Sequence, residues 1–265
     1  MALKPVYFGK LAVSRLILGG NPFSGFSHLN PDRDRDMAQY FSTARIKETL
    51  SQAEALGINT LLARTDRHIM RILQEYWNEG GMIQWIAQTA PEYASLSGNI
   101  AQAIAVGASA IYIHGGQMDN LFANHRLEEI PDALQQIHAA GLPAGIAAHD
   151  PRVHCWAVDA LSIDFHMCSY YNPSHRDAHA EHRPGEPETF DPADRQAMLD
   201  ILPALKKPAI HYKIFAAGRN DPRQSFELVA QHIRPADAVC IGVFPKLNPN
   251  MLAEDLRMFE EIVEK

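Results

Sequence analysis

Three histidines stand at the ends of three successive apolar segments. His114 follows SAIYI, His149 follows PAGIAA, and His166 lies within SIDFHMC. Neutral imidazoles are the commonest protein ligands of metals, and three of them plus a water form an open catalytic site. If these segments are adjacent parallel strands, about 4.8 Å apart, the three rings can reach one point. The sequence therefore predicts a divalent metal ion on His114, His149 and His166, with His211 as a fourth candidate.

Charged side chains near other segment ends supply candidate acids, bases and substrate contacts. A metal held at this place would act as a Lewis acid or would acidify a bound water. His114, Lys213 and Asp66 are the catalytic candidates, although Asp66 also precedes a helical pattern and suits an N-cap. Arg64, at the end of the second segment, suits a substrate that is anionic or a polyol.

The elements that must position these residues repeat along the whole chain. Short apolar segments alternate with helical patterns, as strands buried on both faces do. Asp191-Pro192, Asp221-Pro222 and Asn248-Pro249 mark helix starts. The segments begin near Arg15, Ile58, Met82, Ser109, Pro143, Ser162, Pro208 and Asp237. Eight strand–helix units predict an α/β fold, a (β/α)8 TIM barrel, as one domain over residues 1–265. The alternative is a doubly wound sheet, but Gly19-Gly20-Asn21-Pro22 lacks its GxGxxG turn.

Two connections at the expected catalytic face are long. The first strand is followed by residues 21–42, and the sixth strand is followed by residues 174–190. Long loops inside a compact barrel are usually binding loops or lids. We expect a lid over residues 174–190, where His175, His179 and His182 lie.

Composition narrows the class of partner. The chain has 31 acidic residues against 24 Lys and Arg, a net charge of −7, which disfavours nucleic acid and anionic membrane surfaces. No apolar run reaches the roughly 18 residues of a spanning helix. Three cysteines imply no disulfide framework. We expect a cytoplasmic enzyme with a small-molecule substrate, and the oligomeric state stays open.

The opening, from Tyr7 to Phe23, resembles the start of aldo/keto reductases. The likeness continues through Gly57-Ile58-Asn59-Thr60, Ile111 to His114, Tyr171-Asn172, Lys213 to Gly218, and Ile241-Gly242 through Leu256. It spans nearly the whole chain in the right order. The resemblance implies a barrel with a short N-terminal β-hairpin across its floor. It also implies that His114, His149 and His166 face the cavity, and that Tyr212 rather than His211 does so on the seventh strand.

The chemistry of that family does not carry over. Its catalytic tetrad is Asp, Tyr, Lys and His. Here the Asp position falls on Leu62, the Tyr position near Arg67 and the Lys position on Gln88, so that His114 alone matches. A reductase without the Tyr and Lys lacks its proton donor and the charge that lowers the donor's pKa.

Three functions remain in view. The favoured one is a metal-assisted lyase, isomerase or hydrolase of a small polar substrate, such as a sugar or sugar-derived keto compound. The second is a divergent NADP-dependent reductase with His114 as acid, Lys246 at the 2′-phosphate and Glu254 at the adenine, as the resemblance implies. The third is a non-catalytic barrel that binds a ligand.

Overall fold

A computed structural model describes residues 3–181, 183, 186 and 188–265 of the protein. Eight parallel strands close into a barrel, which confirms the predicted (β/α)8 fold. Around the barrel the strands follow chain order, with the last strand pairing with the first. The strands are β1 (Pro5–Phe8) and β2 (Leu11–Ser14), and in the barrel β3 (Leu16–Gly19), β4 (Thr60–Arg64), β5 (Gln84–Gln88), β6 (Ala110–Ile113), β7 (Ala144–Ala148), β8 (Phe165–Ser169), β9 (Ala209–Tyr212) and β10 (Ala238–Ile241).

Helices surround the barrel, and side chains cap most of their first turns. Asp191 accepts a hydrogen bond from the Ala193 N–H and Asp221 from the Gln224 N–H, with Pro at the first helical position, as the sequence predicts. The helices are α1 (Pro31–Tyr40), α2 (Thr43–Ala55), α3 (Arg67–Asn78), α4 (Leu96–Val106), α5 (Gly115–Ala123), α6 (Ile130–Ala139), α7 (Pro151–Ala160), α8 (Pro192–Ile201), α9 (Pro222–His232) and α10 (Met251–Ile262).

The β1–β2 hairpin closes the amino-terminal end of the barrel. Phe8 is fully buried and stacks on Phe165 of β8, with ring centroids 5.0 Å apart. Val6 and Val13 join the same apolar cluster inside the barrel. The predicted hairpin is therefore confirmed, and its aromatic side chain plugs the floor, which leaves the opposite end open for a site.

The connection over residues 21–42 is largely helical rather than a loop. Asn30 caps α1 by accepting a hydrogen bond from the Arg33 N–H, and Pro31 occupies the first turn. This is the same Asn-Pro signal that marks other helices of the chain, but the alternating charges from Asp32 to Asp36 obscured it. Four residues of the predicted lid, 182, 184, 185 and 187, lie outside the described residues.

Alternation along the strands decides which side chains reach the barrel interior. Leu62, Tyr112, Met167 and Cys240 point inward, with Tyr212 packed against them. Cys168 instead joins the outer layer between strands and helices. Because successive strand residues point to opposite faces, the immediate neighbours of Met167 point outward.

Two further expectations concern cysteines and membranes. Cys155, Cys168 and Cys240 are all free thiols, with Cys155 exposed and the other two buried. Within the described part of the chain, every helix is too short or too polar to cross a bilayer.

Candidate active site at the barrel mouth

A cavity of about 490 Å³ opens where β3, β9 and β10 end. Its floor is formed inside the barrel by Leu62, Tyr112, Met167 and Tyr212. Phe244, after β10, is among the side chains that line its outer part. Catalytic sites of barrels lie at this carboxyl face, and apolar cavities of this size with a few polar groups suit small ligands.

The loop after β9 carries an unusual backbone. Lys213, Ala216 and Ala217 have φ values of 58°, 47° and 57°, in the left-handed region that L-residues with side chains seldom adopt. All but Ala216 of these line the cavity. Strain of this kind collects at functional sites, where the surrounding structure holds it in place.

His114 caps α5 through its ring. The Gln117 backbone N–H donates to Nδ1 of His114 at 3.3 Å, so the neutral ring carries its hydrogen on Nε2. Burial, followed by the nearby His149 and the positive charges of Arg64, Arg176 and Lys213, holds the pKa of His114 well below its ordinary value. At neutral pH, His114 is therefore an uncharged hydrogen-bond donor rather than an imidazolium acid.

His149 is oriented by a carboxylate that sequence reasoning missed. Asp119 of α5 accepts hydrogen bonds from His149 Nδ1 at 2.7 Å and from the backbone N–H groups of His149 and Asp150. Burial raises the pKa of Asp119 to about 7, against the effect of the two backbone donors. Burial also lowers the pKa of His149 well below its usual value, so its Nε2 is an acceptor at neutral pH.

Tyr212 stands beside this pair. The rings of His149 and Tyr212 have centroids 6.2 Å apart. A Cβ on Gly115 would lie 3.1 Å from His149 Cε1 and 3.3 Å from the Tyr212 hydroxyl, so the absence of a side chain there lets both groups approach α5. Burial raises the pKa of Tyr212, and the phenol keeps its proton at neutral pH. Tyr212, unlike His211, faces the cavity, as the resemblance implied.

The prediction that His166 faces the cavity is wrong. Met167 points inward, so His166 points outward to α7, where its Nδ1 lies 3.1 Å from Nδ1 of His154. His211 also points outward. Its Nδ1 accepts from the Tyr170 hydroxyl at 3.0 Å, and its Nε2 lies 3.3 Å from an Asp237 carboxylate oxygen.

The predicted metal centre is wrong for the same geometric reason. His166 lies on the outer side of β8, against His154 of α7, so it cannot share an ion with His114 and His149. Across residues 3–181, 183, 186 and 188–265, no three His, Cys, Asp or Glu side chains are placed to hold a metal ion.

The two charged candidates after β4 neutralise each other and their neighbours. Arg64 contacts Glu92 and donates to Asp66 at 3.4 Å, and its guanidinium lies over the Phe26 ring. Asp66 caps α3 by accepting from the Ile69 N–H at 2.9 Å. The N-cap alternative for Asp66 is therefore observed, while the Arg64 charge is already paired.

Lys213 contacts His28, which lies in the connection after β3, far from Lys213 in the sequence. Its Nζ lies 3.4 Å from Nε2 of His28, whose Nδ1 lies 2.9 Å from Glu188. Burial lowers the pKa of Lys213 to about 8. Lys213 and His28 both line the cavity, so these groups form part of its polar wall.

The residues that the resemblance assigned to a dinucleotide, Lys246 and Glu254, are chain neighbours of Leu247 and Asp255, which line the far end of the cavity. Lys246 pairs with Asp36 of α1 and is half exposed, and Glu254 accepts from Asn248 Nδ2 at 2.7 Å. Arg33, also brought there by α1, lines the cavity. Asn250 makes no side-chain cap on α10, whose first turn contributes Met251 to the lining. Uncapped backbone N–H groups of this kind suit an anion.

The fold is similar to that of aldo-keto reductases. No family model and no curated protein matches the sequence. A structure described as an aldo-keto reductase of Pseudomonas aeruginosa is 18% identical, with a TM-score of 0.65 over 98% of this chain and 97% of that one. The aldo-keto reductase AKR11C1 of Bacillus halodurans, in its holo form, is 11% identical with a TM-score of 0.62 over 98% and 96%.

A third similar structure contains a cofactor. It is a variant of Gox0644 in complex with NADPH, 11% identical, with a TM-score of 0.58 over 99% of this chain and 90% of that one. Barrels of an aldolase and a synthase also match, so the likeness establishes the fold alone.

The favoured reading as a metal-assisted lyase, isomerase or hydrolase is corrected by these findings. Its histidines do not converge, and the structures most similar to this chain are mainly aldo-keto reductases. The absence of the tetrad side chains argued against reduction. The ends of the barrel strands nevertheless carry other proton donors, the Tyr212 phenol and the His114 imidazole.

Proposed function

We propose that the protein is an NADP-dependent oxidoreductase that reduces the carbonyl group of a small molecule. The observation that carries this proposal is the course of the cavity, from the aromatic centre of the barrel to the uncapped start of α10. A ligand that fits both ends has a flat, largely uncharged ring at one and a phosphate-bearing group at the other. A nicotinamide dinucleotide has this form, and when bound it would supply the hydride.

The residues at each end fit such a group. Tyr112, Met167 and Tyr212 offer an apolar and aromatic surface to the ring. Arg33 and Lys246 offer positive charge near the N-terminus of α10, where a phosphate is favoured. Asp255 lines the same cavity, but burial raises the pKa of its carboxyl to about 7, which weakens its repulsion of an anion. The Glu254 carboxylate accepts a hydrogen bond from the Asn248 side chain, which occupies one of its oxygens.

The carbonyl oxygen needs hydrogen-bond donors, and the mouth provides two. His114 donates through Nε2–H as a neutral imidazole and polarises the carbonyl. The Tyr212 hydroxyl transfers its proton to the oxygen as the alcohol forms. His149, held by Asp119, lies beside Tyr212 with its Nε2 unprotonated, so the phenolate regains its proton from solvent after the alcohol leaves. In this arrangement Tyr212, with the His149–Asp119 pair beside it, takes the place of the tetrad members whose positions fall on Leu62, near Arg67 and on Gln88.

Domain organisation and location complete the proposal. All 265 residues act as one barrel unit, in the cytoplasm, on a small-molecule substrate. The net charge of −7 supports a partner other than nucleic acid. The open cavity gives no support to a barrel without a ligand site, which would fill its mouth with apolar side chains.

Consumption of NADPH with a panel of aldehydes, ketones and keto acids tests the proposed function. We expect turnover of at least one carbonyl class by the purified chain, dependent on added NADPH and unchanged by a chelator. A control with Tyr212→Phe should bind NADPH and consume it at least about 100-fold more slowly, because it keeps the ring and loses the proton. Equal rates for the two proteins would remove Tyr212 from the reaction.

A further inference from the structure

Arg176 is a buried cation without a counter-charge among the described residues. Its side chain belongs to the connection after β8 and is only 6% exposed. Nη1 donates to the Glu181 backbone carbonyl at 2.8 Å, whereas Nε is buried and has no hydrogen-bond partner among the residues that the structure describes. Burying a charge without pairing it is costly, so such a group is retained where something else supplies the anion.

The backbone around Arg176 is held against α5, the helix that begins after β6. Asn120 of α5 donates through Nδ2 to the carbonyls of Arg176 and Asp177, at 2.7 Å and 3.0 Å. From this position the guanidinium charge contributes to lowering the pKa of His114, His149 and Lys213. The Arg176 guanidinium is therefore within electrostatic range of groups at the ends of β6, β7 and β9.

Lys213 provides a second cation at the same mouth. It forms no ion pair within the described part of the chain, since its nearest polar contact is Nε2 of His28. Glu188, whose charge raises the pKa of Lys213, contacts the same imidazole from its other nitrogen, with its two oxygens 2.9 Å and 3.0 Å from His28 Nδ1. Asp119, another buried acid near these groups, is occupied by His149 and by two backbone N–H groups.

We propose that Arg176 and Lys213 form an oxyanion subsite, and that the substrate is a carbonyl compound carrying a carboxylate or phosphate group. That the substrate has a carbonyl group rests on the proposed function. That it has an anionic group rests on the two cations alone. Sequence reasoning gave the anionic contact to Arg64, but Glu92 and Asp66 already neutralise that side chain. An oxyanion bound between Arg176 and Lys213 would receive charge-assisted hydrogen bonds from both.

Calorimetric titration of the full chain with malonate and with inorganic phosphate, at constant ionic strength, tests the subsite. We expect saturable binding of at least one anion, with a Kd at least tenfold weaker in Arg176→Met. Arg183→Met is the matched control, because Arg183 lies in the same connection with its side chain 53% exposed, and its Kd should stay within twofold. If malonate binds more tightly, the anionic group of the substrate is a carboxylate. If phosphate binds more tightly, it is a phosphoryl group.

Two further variants keep the outcome decisive. Lys213→Met should weaken the same anion, which covers the case in which Arg176→Met does not fold. Lys246→Met should leave it unchanged, because Lys246 is assigned to the dinucleotide. The proposal is overturned if neither anion saturates, if Arg183→Met weakens binding as much as Arg176→Met, or if only Lys246→Met weakens it. NADPH titration of the same samples separates this failure from failure of the reductase proposal.

Discussion

His149 Nδ1 lies 2.7 Å from a carboxylate oxygen of Asp119, and both side chains are buried beside the Tyr212 ring. A carboxylate that binds one imidazole nitrogen fixes the tautomer and leaves the other nitrogen as an acceptor. Asp119 comes from α5 and His149 from the end of β7, so the pair depends on how that helix packs against the strand.

Asp119→Asn tests this relationship. The amide keeps the shape of the side chain, but it can present an N–H to His149 and favour the wrong tautomer. We expect kcat for carbonyl reduction to fall about 10- to 100-fold, with the Kd for NADPH within twofold of the unmodified protein. An unchanged kcat would show that His149 needs no carboxylate to act.

Gly115→Ala tests the close approach of the same groups to α5. The added Cβ would meet His149 Cε1 at 3.1 Å and the Tyr212 hydroxyl at 3.3 Å, so one of them must move by a few tenths of an ångström. We expect kcat to fall by roughly tenfold, because small displacements of reacting groups are costly. The thermal midpoint serves as the control, and a loss of activity explained by unfolding alone would contradict this prediction.

The pH dependence of substrate affinity follows from Lys213. Burial lowers its pKa to about 8, so its ammonium loses a proton as the pH rises through 8. For an anionic substrate, we expect KM to increase several-fold between pH 7 and about pH 9, with a smaller increase in Lys213→Met. A KM that is constant over this range in the unmodified protein would contradict a role for the Lys213 charge.

Acid lability of the fold follows from the buried His154–His166 pair. Burial lowers their pKa values to about 4 and about 3, below the ordinary 6.5 that holds in the unfolded chain. Below pH 6.5 the unfolded state therefore binds more protons, and the free energy of unfolding falls as the pH drops toward 4 and 3. Urea titrations should show a loss on the order of 2 kcal/mol between pH 7 and pH 4. His154→Gln should reduce this pH-dependent loss, and an equal loss would rule out His154 as its source.

Cofactor preference depends on the positive charges near the start of α10, from Arg33 of α1 and from Lys246 after β10. Lys246→Met and Arg33→Met each remove a positive charge near the start of α10. We expect each to weaken NADPH binding about tenfold while NADH binding changes less than twofold, since the 2′-phosphate is the difference between the two. Equal weakening of both cofactors would place these residues at a shared part of the dinucleotide.

The barrel was predictable from the sequence, and the site was predictable only in part. Apolar segments repeat eight times, Asp-Pro or Asn-Pro pairs open several of the helices between them, and these signals are local. The orientation of His166 depends on which face of β8 turns inward, and the segment SIDFHMC is apolar on both faces. Asp119 was missed because it lies within a short helix between two strands, where nothing local links it to His149. The sequence also could not distinguish Lys213 from Arg64. Only the fold shows that Glu92 pairs with Arg64, whereas Lys213 contacts His28.

Titration of the full chain with NADPH, followed by tryptophan fluorescence and by calorimetry, tests the central claim most directly. We predict saturable binding of one NADPH per chain with a micromolar Kd, weaker binding of NADH, and loss of affinity in Lys246→Met. If millimolar NADPH neither quenches the fluorescence nor releases heat, the cavity does not hold a nicotinamide dinucleotide, and the reductase proposal is contradicted.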